Sequence, residues 1–158
     1  MRQLRSFVRA IGVLASLMLV GCGDGEDETA TDGETPEATA LEISGTWQSD
    51  FGSTEIIADA SWDTVGEDFT ASTEIVHFDN EANVLVSMGP DFTDPEKDVY
   101  SRIVWTEPER GSFYYCIVLF GRETLSEALV EEGVADASEP EIAGCGDSNF
   151  PWTQLNAP

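Results

Sequence analysis

The chain has 158 residues, 31 acidic and 7 basic side chains, a formal net charge of −24 and 41% apolar content. Phosphate contacts need clustered Lys and Arg, so this balance argues against nucleic acid as a partner. No stretch approaches the ~20 consecutive apolar residues of a spanning helix, which excludes a polytopic membrane protein.

The chain begins with Arg2, Arg5 and Arg9 and no acid, followed by an apolar run from Ala10 to Val20 broken only by Gly12 and Ser16. A basic region followed by an apolar core of about eleven residues predicts a secretory signal peptide over 1–21, too short for a stable membrane span. The run ends in Leu19-Val20-Gly21-Cys22. This tetrapeptide resembles the lipobox of bacterial lipoproteins at all four positions. The resemblance implies that the Cys22 thiol takes a diacylglyceryl group and that the leader is cut between Gly21 and Cys22. The new amino group would often be acylated as well. Two or three chains, palmitate among them, would anchor the protein to a bilayer at ~0.8 kcal/mol per buried CH2. Lipoproteins kept at an inner membrane often carry Asp directly after the Cys. Gly23 departs from that pattern, so the expected place is the outer membrane or cell surface of a bacterial envelope.

Residues 22–40 read as the lipidated Cys and an acidic spacer. Asp24, Glu26, Asp27, Glu28, Asp32, Glu34 and Glu37 repel one another, with no aromatic, branched aliphatic or basic residue between them. Such a segment buries too little apolar surface to offset the entropy of ordering and is predicted to be disordered. Random-coil scaling gives it a reach of roughly 25 Å.

Residues 41–158 are predicted to form a single all-β domain, an antiparallel meander closing as a small barrel or sandwich. Thr54, Ile56, Ala58, Ala60 and Trp62 share a face of one expected strand. Ala71, Thr73, Ile75 and His77 share a face of the next, with Val76 and Phe78 opposite. Asp79 to Asn83 reads as a turn before Val84, Val86 and Met88. Val99, Ser101, Ile103 and Trp105 oppose Tyr100, Arg102 and Val104, and Pro108 to Gly111 connects to Phe113–Phe120, apolar on both faces. One short helix is expected near 124–132. Thr124 and Glu127 fit a capping box, Leu125, Ala128 and Leu129 give a narrow apolar stripe, and Gly133 is placed to end the helix. Residues 134–144 form a polar loop, and Phe150–Leu155 return as a last strand.

Gly45-Thr46-Trp47 opens this domain and is similar to the G-x-W start of lipocalins and related calycin barrels. That resemblance implies a closed barrel with Trp47 at one end. The layout also resembles that of small bacterial lipoproteins with no assigned activity.

Cys22 being assigned to lipid, Cys116 and Cys145 remain as a pair in an oxidising compartment. A bridge between them is expected, with Gly144 and Gly146 letting the backbone bend toward it. The spacing excludes C-x-x-C redox and zinc motifs.

Little material for catalysis is evident. His77 is the only histidine, and Glu74 points to the opposite strand face, so the two are not a metal pair. Asp91, Asp94, Glu96 and Asp98 are weak candidates for Ca²⁺, but the EF-hand pattern is absent and a solvated loop is the plainer reading. Trp47, Trp62, Trp105 and Trp152 read chiefly as core. In a barrel, inward Trp62, Trp105, Ile75 and Phe113 would border an apolar cavity. The function expected is that of a non-enzymatic, membrane-anchored envelope lipoprotein displaying a disulfide-stabilised β domain for ligand or partner binding, without a cofactor. A calycin-like carrier of small apolar molecules and a Ca²⁺-dependent surface or adhesion component are the alternatives, with a hydrolase behind them.

Overall fold

The computed structural model describes residues 40–158; the expected signal peptide, Cys22 and nearly all of the acidic spacer lie outside them. Eight antiparallel strands follow one another round a closed barrel, each bonded to its sequence neighbours, with the last returning to the first. They are β1 (Gly45–Ser49), β2 (Thr54–Ala58), β3 (Ser61–Val65), β4 (Thr70–Asp79), β5 (Val84–Pro90), β6 (Asp98–Trp105), β7 (Ser112–Arg122) and β8 (Thr153–Asn156). A short helix, α1 (Leu125–Val130), lies between β7 and β8. Closure removes the free edges that an open sheet would present. The final seam is short, pairing Gln48 with Asn156 and Ser49 with Leu155.

Alternation along the strands divides them into an inner and an outer face. Ile57, Trp62, Ile75, Leu85, Ile103, Trp105, Phe113 and Leu155 point inward and form one buried cluster with Leu41 and Ile43. Leu41 and Ile43 precede β1 and plug one end of the barrel. Two turn residues at that end fasten the plug. The Asp59 carboxylate accepts from Leu41 N and Ser44 Oγ at 2.9 and 3.2 Å. Asn80 Oδ1 accepts from Glu42 N at 3.1 Å, and Asn80 Nδ2 donates to the Ala40 carbonyl at 2.8 Å. Trp47 packs edge-on against Phe113, with ring centroids 4.8 Å apart, and its Nε1–H donates to the Ile43 carbonyl. The Trp105 indole donates to Glu42 across the same end.

Three local expectations are corrected. Thr54 to Trp62 is not one strand: Asp59 and Ala60 form a two-residue turn that pairs Ala58 with Ser61. The turn reverses the inward parity, so Glu55 and Ile57 face in while Ile56 is exposed. In β4 a bulge between Ile75 and His77 turns Phe78 toward the core with Ile75 and leaves His77 exposed outside. The capping box of Thr124 and Glu127 is present, but α1 ends at Val130 and leaves through Glu131 in an extended conformation. Glu131 and Glu132 are unfavourable at the negative end of the helix dipole, and Glu131 pairs with Arg122 instead. Gly133 serves close approach rather than a left-handed turn, since a Cβ there would lie 3.0 Å from Val118 Cβ.

α1 packs on the outer face of β5, β6 and β7, with Ala128 fully buried. A second cluster forms outside the barrel from Cys116, Val118, Leu119 and Trp152, with Cys145 against it. Cys116 and Cys145 are bridged, their Cα atoms 5.5 Å apart. Gly144 makes the approach, with φ +99° and the Asp136 carbonyl against the place a Cβ would occupy. The bridge pins the 131–152 excursion to β7. With a sequence separation of 29, replacing both cysteines by Ser should cost about 3.5 kcal/mol, read as a lower midpoint in denaturant unfolding.

Candidate functional site

Meander topology sends the β1–β2, β3–β4 and β5–β6 loops and the β7–α1 junction to one end of the barrel, opposite the plug. At this end the inward side chains become small or hydroxylated. Thr64 on β3, Ala71 and Thr73 on β4, Ser87 and Gly89 on β5, and Ser101 on β6 line a cavity of about 370 Å³. Its floor and walls include Trp62, Tyr115, Val99, Ile103 and Ile117, and its mouth is bordered by Asp91, Phe92, Thr93, Phe120 and Gly121. The volume lies at the lower end of the range for small-molecule sites, about 300–1,000 Å³. Two further depressions, of about 540 and 600 Å³, lie along the second half of β7 beside Cys145–Thr153 and beside the β6–β7 connection. The interior cavity is lined by side chains from β3 to β7.

Glu55 lies behind the cavity wall, 2% exposed. Its Oε1 accepts from Ser53 Oγ at 2.6 Å, and its Oε2 accepts from Trp62 Nε1 at 2.8 Å and Thr64 Oγ1 at 2.6 Å. These bonds fix the Trp62 ring, which meets Tyr115 at 4.9 Å between centroids and 59° between planes. The Tyr115 phenol is pushed up to about 12, chiefly by burial and then by the negative charge of Glu55, while a hydrogen bond with Thr153 acts the other way.

Phe51, Phe69 and Phe92, one from each loop at this end, and Phe120 near the end of β7 are exposed, Phe92 at 95%. Phe69 folds back over Gly66, where a Cβ would lie 2.1 Å from the ring.

Asp91, Asp94, Glu96 and Asp98 share the β5–β6 region at the rim but do not converge; among the described residues no three His, Cys, Asp or Glu side chains gather as a metal site. Asp91 instead accepts from the Thr93 backbone and hydroxyl, which hold its carboxyl below the usual range. Asp94 caps Glu96 N, and Lys97 pairs with Glu123 at 2.9 Å, raising the ammonium and lowering the carboxyl. Of the residues expected to border a cavity, Trp62 does so. Trp105, Ile75 and Phe113 lie in the clustered core, whose plugged end they help fill. Glu55 and Tyr115 were not legible as site residues, because the Asp59-Ala60 turn hides the parity that brings Glu55 inside. A signal was present all the same: Thr64, Ala71, Thr73, Ser87, Gly89 and Ser101 are small residues recurring near the same end of successive strands.

Compared with family models, curated proteins and solved structures, the chain gives no match.

Tyr115 links this site to stability. An acid whose folded pKa is raised favours the neutral form, so its contribution is full below the unfolded value near 10 and is lost as pH rises to about 12. The unfolding free energy of the native protein should therefore fall across that interval more steeply than that of Tyr115→Phe. Urea titrations at several alkaline pH values would measure the difference, and parallel curves would contradict it.

Proposed function

We propose that the protein is a non-enzymatic lipoprotein of the bacterial envelope, anchored through acylated Cys22, whose barrel binds one small, largely apolar molecule. The observation that carries the binding reading is the cavity of about 370 Å³ opening at the end opposite the plug. Its lining combines apolar and aromatic walls with the hydroxyls of Thr64, Thr73, Ser87, Ser101 and Tyr115, the mixture that retains an apolar body and orients a few polar atoms. The anchoring reading rests on Leu19-Val20-Gly21-Cys22 after the basic and apolar leader. Gly23 favours the outer membrane or cell surface. The chain enters the domain at the plugged end, where Ala40 is held by Asn80.

Protein extracted from membranes and titrated with the apolar dye N-phenyl-1-naphthylamine should give saturable fluorescence enhancement at one site. Ser101→Phe, which fills the cavity from β6, should weaken binding by at least about tenfold, a loss of ~1.4 kcal/mol. Unsaturable enhancement, or equal binding by the variant, would overturn the binding reading. The denatured mass of the same sample reads the anchor: a chain starting at diacylglyceryl-Cys22 is expected, and an uncut leader or unmodified Cys22 would overturn it.

A further inference from the structure

Glu55 is a buried carboxylate whose hydrogen-bond partners, Ser53, Trp62 and Thr64, are all uncharged donors. The basic side chains among the described residues are placed elsewhere. Lys97 binds Glu123, Arg122 binds Glu131, Arg102 donates to the Leu129 carbonyl, and Arg110 is exposed in the β6–β7 connection. His77 is exposed on the outer face of β4. The carboxyl group is therefore hydrogen-bonded but has no basic side chain beside it, an arrangement that a nearby cation would stabilise in a low-dielectric interior.

The cavity lies next to it. Trp62, the donor to Glu55 Oε2, and Tyr115, packed against Trp62, both line the cavity wall. Aromatic faces carry negative charge density and attract ammonium groups, more so when water is excluded. Burial first, and then the adjacent Glu55, push the Tyr115 phenol upward. The lining contains no Lys, Arg or His, so an anionic head group would meet no countercharge, whereas Asp91 at the mouth adds to the attraction for a cation.

We propose that the cavity selects an apolar organic cation, an alkyl- or arylammonium, whose head rests on the Trp62 and Tyr115 rings and compensates Glu55. The proposal rests on the ligand-binding reading above and names the ligand class for that site. A quaternary ammonium suits it well, having no donor hydrogen to leave unsatisfied among aromatic walls.

Decyltrimethylammonium, decanol and decanoate, each below its micelle-forming concentration, provide matched cationic, neutral and anionic probes for the full chain, followed by tryptophan fluorescence. The cation should bind at least about tenfold tighter than decanol, and decanoate should bind weakest. Glu55→Gln keeps the size of the side chain and removes the charge; it should abolish the advantage of the cation, read as the ratio of cation to decanol affinity in the same variant. Tyr115→Leu, independent of the Glu55 hydrogen bonds, should reduce the same ratio severalfold. Equal binding of cation and decanol by the native chain would overturn the charge selection and leave the binding reading standing. Retention of the advantage in Glu55→Gln would assign it to surface acids and overturn the proposal. Failure of all three probes to bind would overturn both readings.

Discussion

The plug formed by residues 41–47 is the constraint on which the rest of the barrel depends. Leu41 and Ile43 are almost fully buried, and each contributes on the order of 1.5–3 kcal/mol by leaving water. Asp59 and Asn80 from two different turns hold their backbone in place, and Trp47 and Phe113 pack edge to face beside them. An eight-stranded barrel has an interior just wide enough for side chains to fill or for one small ligand. Here both outcomes occur in one molecule. Large side chains fill the plugged end, and small ones leave space at the other.

Polarity inside the barrel follows the same division. The plugged end is apolar apart from indole hydrogen bonds to Ile43 and Glu42. Midway along, Glu55 joins the β2–β3 hairpin to Trp62 and Thr64 and thereby sets the shape of the cavity wall. A buried carboxylate is expensive even with three donors, so its value in the free protein lies in orienting the ring beside it. On the outer surface, the disulfide and α1 reinforce β5–β7 without entering the barrel, so the cavity and the covalent staple are separate features of the same sheet.

Much of the architecture was legible because its signals are local. The capping box at Thr124 and Glu127, the turn at 80–83, the alternation from Val99 to Trp105 and the two-sided apolar strand at Phe113 all lie within a few residues of their cause. The Cys116–Cys145 pair was expected once Cys22 was set aside as the expected lipid site, with Gly144 and Gly146 as supporting backbone signals. What escaped depends on single-residue changes of phase. Asp59-Ala60 lacks the Gly or Asn that usually announces a two-residue turn, and the bulge at Val76 leaves no compositional mark. Each changes the inward parity between the residues before it and those after it, which put Glu55 and Phe78 on the wrong face. The cavity escaped for another reason: it arises from small residues on β3 to β6 that become neighbours only once the barrel closes.

One end of the barrel is filled and the other is hollow. Xenon enters apolar cavities without needing hydrogen bonds. Methyl NMR of the protein under increasing xenon pressure should show progressive shifts for Thr73, Val99 and Ile117, which line the cavity, and none of comparable size for Leu41, Ile43 and Leu155 at the plugged end. Unchanged cavity methyls, or shifts spread evenly over both groups, would contradict the account.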